Sequence, residues 1–307
     1  AALPEGSRLY SNEPHPKRAQ ILAENVVKFG HPEVVVTNNY AIDYQRAGLR
    51  FGLILADMPC SGEGMFRKDP ESIGEWSPAN VEKCAALQRS ILADIWPCLL
   101  PGGLLIYSTC TFNAHENEDN IAFAVEELGA EPVAIPVEEA WRVAGPLTGP
   151  HPICRFIPGT TRGEGLAVAL LRKPETAADL PTRDRGKGHT TPLLRVLSDG
   201  VKPPQVKGKK TLPDVSQALT ILDEANPYPR VDVGYDEAIA YLRRESIALP
   251  AAAPKGLVTV CHEGFALGFA KNLGTRANNL YPQEWRIRST HRPEDRPVVG
   301  LTPIVHP

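Results

Sequence analysis

Two short stretches carry residue types able to do covalent chemistry: Asp57-Met58-Pro59-Cys60-Ser61-Gly62-Glu63-Gly64 and Tyr107-Ser108-Thr109-Cys110-Thr111. A thiolate attacks soft, electron-poor carbon. C6 of a cytosine becomes such a carbon when its N3 accepts a proton or a hydrogen bond. Attack there makes C5 nucleophilic enough to take a methyl group from a sulfonium donor. A base must then remove the C5 proton, and the thiol must leave. Two thiols and one acid suffice for that cycle: Cys110 as nucleophile, Asp57 on the N3/N4 edge, and Cys60 helping proton removal and release. The target base would have to leave its stack to reach them. Two other readings of the cysteines stay open, as buried packing residues or as a redox couple.

The elements that must hold these groups are legible in the flanks. FGLILA precedes Asp57 and GGLLI precedes Tyr107, each an apolar run of strand length. Both read as buried strands of an α/β sheet, where ligand and catalytic groups collect past the carboxyl ends. Ser77 as cap and Pro78 at the first position open a helix reaching about Leu99. Its apolar spacing makes Cys84 and Cys98 packing residues. Asn113 caps a helix running through Leu128, and the acidic run Glu116, Glu118 and Asp119 reads as a solvated face near its start. Pro132–Val137 and Gly165–Leu171 are further strands, expected to form an antiparallel edge pair.

Upstream, Arg8–Ser11 reads as a strand followed by Glu13, an acid placed to accept from both ribose hydroxyls of a nucleoside cofactor. A surface acid before a helix explains it equally simply. Pro16 opens a helix that Gly30 stops. Val34–Thr37 is the next strand. Asn38 and Asn39 at its end could read an adenine edge or form an ordinary polar turn. The loop to Pro70 is Gly-rich and basic, with Arg67 and Lys68.

Residues 173–215 are rich in proline and basic side chains, including Lys207-Gly208-Lys209-Lys210, and read as a linker or a small, poorly packed insert. Beyond it, Tyr235–Arg244 reads as a helix. Leu257–Cys261 and Phe265–Lys271 read as strands joined by Glu263-Gly264. The segment 271–282 is basic and amide-rich, with Lys271, Arg276, Asn278 and Asn279; Arg286 follows. Cations for phosphate together with amides and aromatics for bases suit nucleic acid, although a solvated loop has the same composition.

The chain has 307 residues, enough for two domains, and a net charge of -3. Near-neutrality does not argue against a local basic face. No run of about 18 apolar residues exists to span a membrane. Six scattered cysteines do not make a secreted disulfide framework, and no zinc-ligand spacing occurs, so no metal is expected. A reducing, cytoplasmic setting follows.

The longer motifs D-M-P-C-S-G-E-G-M-F-R-K-D-P and L-P-G-G-x-L-I-Y-S-T-C-T-x-N-x-x-E-N-E resemble the RNA 5-methylcytosine methyltransferase (Nop/Sun) family. The resemblance is strongest to its bacterial small-subunit ribosomal RNA branch. Y-P-R-V-D and G-F-A-K-N-L-G-T-R-A-N-N-L-Y-P resemble that branch's PUA-like RNA-binding domain. The resemblance implies a class I, Rossmann-like α/β methyltransferase sheet and a small β-rich PUA-like domain. It places the family's first strand and cofactor loop upstream of Ala1, so the chain is expected to be a fragment. The implied domains are 1–172 methyltransferase, 173–215 linker, 216–290 PUA-like and 291–307 tail.

The resemblance also implies S-adenosylmethionine as cofactor, with Glu13 on the ribose and Asp57 and Pro59 of the shared motif beside it. Where relatives carry an adenine-contacting Asp this chain has Tyr40, and Asn38, Asn39 or Asp43 is expected to serve instead. Cys110 matches the family nucleophile, Cys60 the release cysteine and Asp57 the acid of the same motif. RNA, ribosomal rather than transfer, is the implied partner of Arg67, Lys68, Lys271, Arg276, Asn278, Asn279 and Arg286, with the protein acting as a monomer. A non-catalytic RNA-binding module and an amino-group methyltransferase remain the alternatives.

Overall fold

Proline and glycine punctuate the chain, and the elements fall between them. The computed structural model describes residues 3–161, 163–177, 194–207, 210–222 and 226–291. These divide into two units, residues 1–37 with 196–307, and residues 38–195.

The first unit begins with β1 (Leu9–Asn12), α1 (Pro16–Phe29) and β2 (Val34–Thr37), with β1 and β2 parallel. Pro16 sits in the first turn of α1, where its missing N–H costs nothing. Gly30 ends the helix at φ 76°, and its N–H caps the carbonyls of Val26 and Val27. A Cβ there would lie 2.0 Å from the Leu219 carbonyl oxygen, so only glycine fits this stop.

The second unit holds α2 (Ala41–Arg46), β3 (Phe51–Asp57), α3 (Glu71–Glu75), α4 (Pro78–Ile95), β4 (Leu99–Thr109), α5 (Glu118–Glu126), β5 (Glu131–Val133), β6 (Cys154–Phe156) and β7 (Leu166–Arg172). Its sheet has the order β3-β4-β7-β5, and β6 pairs with β7. β3 and β4 are parallel; β7 runs antiparallel to β4 and to β5, giving the expected antiparallel edge pair. Leu92 of α4, Leu99, Leu105 and Tyr107 of β4, Ile121 of α5 and Leu171 of β7 form a buried core. Ser77 caps α4 by accepting from the Asn80 N–H.

The structure departs from the sequence-based expectations at three elements of this unit. β3 is not buried on both faces: Leu53 and Leu55 are 42% and 67% exposed, while Ile54 and Ala56 are buried. Successive side chains of a strand point to opposite faces, so one face of β3 packs inward and no described residue covers the other. α4 ends at Ile95 and passes into a short 3-10 turn, Trp96–Cys98, since Pro97 has no N–H to continue the helix. α5 starts at Glu118 rather than at Asn113. The Asn113 side chain instead closes a local turn by accepting from the Glu116 N–H at 2.9 Å.

The first unit resumes with β8 (Val196–Asp199), antiparallel to β2, so the stretch read as a linker contains a strand. β9 (Gln205–Lys207) and β10 (Lys210–Leu212) pair antiparallel, and α6 (Val215–Leu219) is capped by Asp214. β11 (Arg230–Asp232), α7 (Tyr235–Leu242), β12 (Gly256–His262), β13 (Phe265–Asn272) and β14 (Ala277–Asn279) follow. Their sheet has the order β11-β12-β13-β14. The β12–β13 turn holds Glu263 and Gly264 at φ 48° and 79°, both left-handed, as a tight hairpin requires. Val231, Tyr241, Val258, Val260, Ala270 and Tyr281 form the core against which α7 packs.

Residues 178–193, Gly208-Lys209 of the basic run, and the Pro-rich tail from 292 lie outside the described residues. Among the described residues no helix is long and apolar enough to cross a membrane.

Candidate active site

The parallel pairing of β3 with β4 sets Asp57 opposite Ser108. The Ser108 hydroxyl donates to Asp57 Oδ1 at 3.0 Å, and the Met58 N–H donates to the Ser108 carbonyl at 2.8 Å. The two chains therefore leave the sheet side by side. Three residues after Asp57 comes Cys60, and two after Ser108 comes Cys110. Their sulfurs lie 3.1 Å apart. Asp57 and Pro59 are exposed, while both cysteines are half-buried.

The close contact makes the thiols unequal. Cys110 falls to about 7, chiefly because Cys60 hydrogen-bonds to it; burial and the charges of Asp57 and Glu116 work in the opposite direction. Cys60 is pushed up, by the same hydrogen bond, by burial and by the charge of Cys110. Near neutral pH the pair therefore favours the charge on Cys110 and the proton on Cys60.

A polar network holds this geometry, and sequence reasoning missed most of it. Glu116 is fully buried, not part of a solvated face. Its Oε2 accepts from the Ser61 N–H at 3.0 Å and from Gln88 Nε2 at 2.8 Å, and its Oε1 accepts from Asn113 Nδ2 at 2.8 Å. Gln88 also donates to the Pro59 carbonyl at 2.8 Å, and Tyr107 Oη lies 2.9 Å from Gln88 Oε1. Glu63 Oε2 accepts from the Phe112 and Asn113 N–H groups at 2.7 and 3.0 Å. Its Oε1 accepts from Trp76 Nε1 at 3.0 Å. Burial works to raise the Glu63 carboxyl, but these donors outweigh it and hold it below its usual value. Glu118, read with Glu116 as solvated, is also buried and pairs with buried Arg155. Asp119 is the one of the three that keeps an exposed side chain, beside His115. The available signal was Asn113-x-x-Glu116, a capping-box pattern that predicts a local reciprocal bond.

Two glycines let the loops close. A Cβ on Gly64 would meet the Cys110 carbonyl oxygen at 2.8 Å, and one on Gly165 would meet the Phe112 ring at 2.1 Å. The Gly64 N–H donates to that Cys110 carbonyl at 2.7 Å. Gly165, where an aromatic would not fit, is therefore a close-approach position.

The other predicted residues are placed as follows. In the first unit, Glu13 stands just past the carboxyl end of β1, and its Oε1 accepts from the His15 N–H at 2.7 Å and from Arg18 at 3.0 Å. In the second unit, the Asn38 N–H donates to the Arg195 carbonyl, and the Asn39 amide bonds the Arg195 carbonyl and N–H at 3.3 and 3.1 Å. Asn39 thus has both ends of its amide engaged by protein main chain. Arg67 pairs with Glu164 at 2.6 Å, and Lys68 is exposed. Lys271 and Asn278 face each other across β13 and β14, both exposed, with Arg276 and Arg286 also exposed. Asn279 differs: its Nδ2 donates to the Tyr241 and Glu245 carbonyls at 2.8 and 3.1 Å, so it braces α7.

Residues 228–287 match the family described as the methyltransferase RsmF PUA domain. The chain is similar to a ribosomal RNA small subunit methyltransferase F from Enterobacter sp. (strain 638), 26% identical over 90% of this chain and 67% of the relative. It is similar to the protein of that name from Escherichia coli O9:H4 (strain HS), 28% identical over 91% of this chain and 68% of the relative. Among solved structures, NSun6 from Pyrococcus horikoshii with SFG matches at 26% identity and a TM-score of 0.49, over 54% of this chain and 41% of that one. Residues 1–172, more than half of the chain, match the family described as 16S rRNA methyltransferase RsmB/F, and the chain belongs to that family.

Proposed function

We propose that the protein transfers a methyl group from S-adenosylmethionine to C5 of a cytosine in ribosomal RNA, through a bond between Cys110 Sγ and C6. The observation that carries this reading is the pair of sulfurs 3.1 Å apart at neighbouring strand ends, beside Asp57. An amino-group methyltransferase needs an acid or amide at such a strand end but no thiol. A redox couple would not need Asp57 or a nucleic-acid-binding domain. Glu13, fixed by two donors past the end of β1, is the acceptor type to which both hydroxyls of a ribose diol donate, and it suits the cofactor.

When bound, the cofactor supplies an electrophilic methyl on a positively charged sulfur. Asp57 takes the N3/N4 edge of the flipped cytosine, accepting from the N4 amino group and sharing a proton with N3, and that proton draws electron density from C6. Cys110, as its thiolate, forms the bond to C6, and the ring electrons move to C5. Once C5 is methylated, Cys110 carries no charge, and its hydrogen bond and charge no longer raise Cys60, which burial alone still raises. Cys60 then releases its proton to solvent and takes the C5 proton. The electrons of that C–H bond rebuild the C5–C6 double bond, and Cys110 leaves as thiolate. Lys271, Arg276, Asn278 and Arg286 of the PUA domain, with Arg67 and Lys68 of the catalytic unit, hold the RNA largely through phosphate. We read residues 1–172 and 216–290 as the catalytic and RNA-binding domains of a cytoplasmic monomer, where two close unpaired thiols stay reduced.

The test is Cys60→Ala in the presence of cofactor and RNA. Attack by Cys110 persists while release slows, so an RNA–protein species that survives denaturing electrophoresis accumulates. Full turnover by this variant with no such species would overturn the reading. RNA binding without transfer by the parent protein would favour the non-catalytic module.

A further inference from the structure

The loops bearing Cys60 and Cys110 do not touch only at sulfur. Each sends one carboxylate onto the main chain of the other. Glu63, three residues after Cys60, receives the consecutive N–H groups of Phe112 and Asn113. Glu116, six residues after Cys110, receives the N–H of Ser61, the residue next to Cys60. Asn113 joins the two: its Nδ2 lies 3.2 Å from Glu63 Oε1 and 2.8 Å from Glu116 Oε1. The Ser61 and Thr111 hydroxyls close the gap between them at 3.0 Å.

We propose that Glu63 and Glu116 are positioning residues, a reciprocal clasp that keeps the Cys60 thiol within hydrogen-bond distance of the Cys110 sulfur. Carboxylates suit this role because a bond from a backbone N–H to an anion is stronger than one to a neutral oxygen. Two successive N–H groups converging on one oxygen fix the direction of the loop as well as its distance. The clasp acts on reactivity through Cys60, because the Cys60 hydrogen bond is the largest influence that favours ionised Cys110. Cys60 acts on Cys110 through its hydrogen bond, and the charges of Asp57 and Glu116 oppose it. Glu63 lies outside that set, which makes it the cleaner residue to change.

The inference rests on the proposed nucleophile, but its test needs neither RNA nor cofactor. Alkylation of Cys110 by iodoacetamide is followed against pH, with the modified residue identified by peptide mass. Ionisation rises with pH, so the parent rate climbs through a midpoint near 7. In Glu63→Gln the midpoint moves up toward the ~8.5 of a free cysteine. In Cys60→Ala it moves up likewise, and adding Glu63→Gln to Cys60→Ala gives no further shift. A thermal melt of each variant accompanies the profile. If Glu63→Gln does not fold, Asn113→Ala, which removes the amide joining both carboxylates, carries the same expectation. An unmoved midpoint in the folded single variant overturns the clasp, whatever its melting temperature. So does a shift that persists in full without Cys60. Failure of methyl transfer in the parent, by contrast, would count against the proposed reaction and leave these profiles unchanged.

Discussion

Cys110→Ser is expected to lose methyl transfer by roughly 10⁴- to 10⁶-fold, the scale seen when a covalent nucleophile is removed. The hydroxyl replaces a group that ionises at about 7 by one that stays protonated in water. Cofactor and RNA affinity should change little, because neither the strand pairing of Asp57 with Ser108 nor the basic side chains of the PUA domain are touched. The loss should therefore fall on kcat and not on KM. Single-turnover assays with labelled methyl donor measure it. Transfer within about tenfold of the parent would mean that the thiol is not the nucleophile, and an exocyclic amine would become the better target.

Arg155→Met is expected to destabilise the catalytic unit by about 3–5 kcal/mol, the cost of leaving one member of a buried ion pair alone. Arg155 and Glu118 have side chains only 1% and 5% exposed. Arg155 also donates to the Gly145 carbonyl at 3.1 Å, and Glu118 accepts from the Leu147 N–H at 2.6 Å. Losing the guanidinium leaves Glu118 charged and out of water with one donor. That is a large share of an ordinary domain's ~5–15 kcal/mol. Urea unfolding followed by fluorescence gives the value. The double change Arg155→Met with Glu118→Leu should recover most of the loss, because it removes the stranded charge. A single variant within about 1 kcal/mol of the parent would show that the pair is not desolvated as described. The Phe112 carbonyl lies 3.4 Å from Arg155 Nε, so activity should fall together with stability.

What the sequence revealed and what it hid follow from the range of the interactions. Strand ends, helix caps and glycine stops are written in neighbouring residues, so Asp57, Ser77, Gly30 and the Glu263-Gly264 turn were legible. Cys60 and Cys110 were legible as a pair because parallel strands in one sheet bring their carboxyl ends together. The burial of Glu116 and Glu118 was not legible. An acidic run at a helix start ordinarily faces water, and only partners 37 and 55 positions away in the chain show otherwise. The same limit applies to β3. An apolar run looks the same whether one face of the strand is covered or both, since the difference lies in what packs against each face. Asn279 looked like its neighbour Asn278, yet its amide is spent on α7 because alternate residues of a strand face opposite sides.

The central claim is a covalent bond from Cys110 to cytosine C6, and the most direct measurement is to trap it. RNA in which the target cytidines carry fluorine at C5 is incubated with the protein and S-adenosylmethionine. Fluorine cannot leave as a cation, so elimination stops and the adduct persists. The account predicts a denaturation-stable complex whose digest shows the nucleotide on the peptide containing Cys110, and none in Cys110→Ser. An adduct on Cys60, or methyl transfer to RNA with no adduct at all, would contradict it.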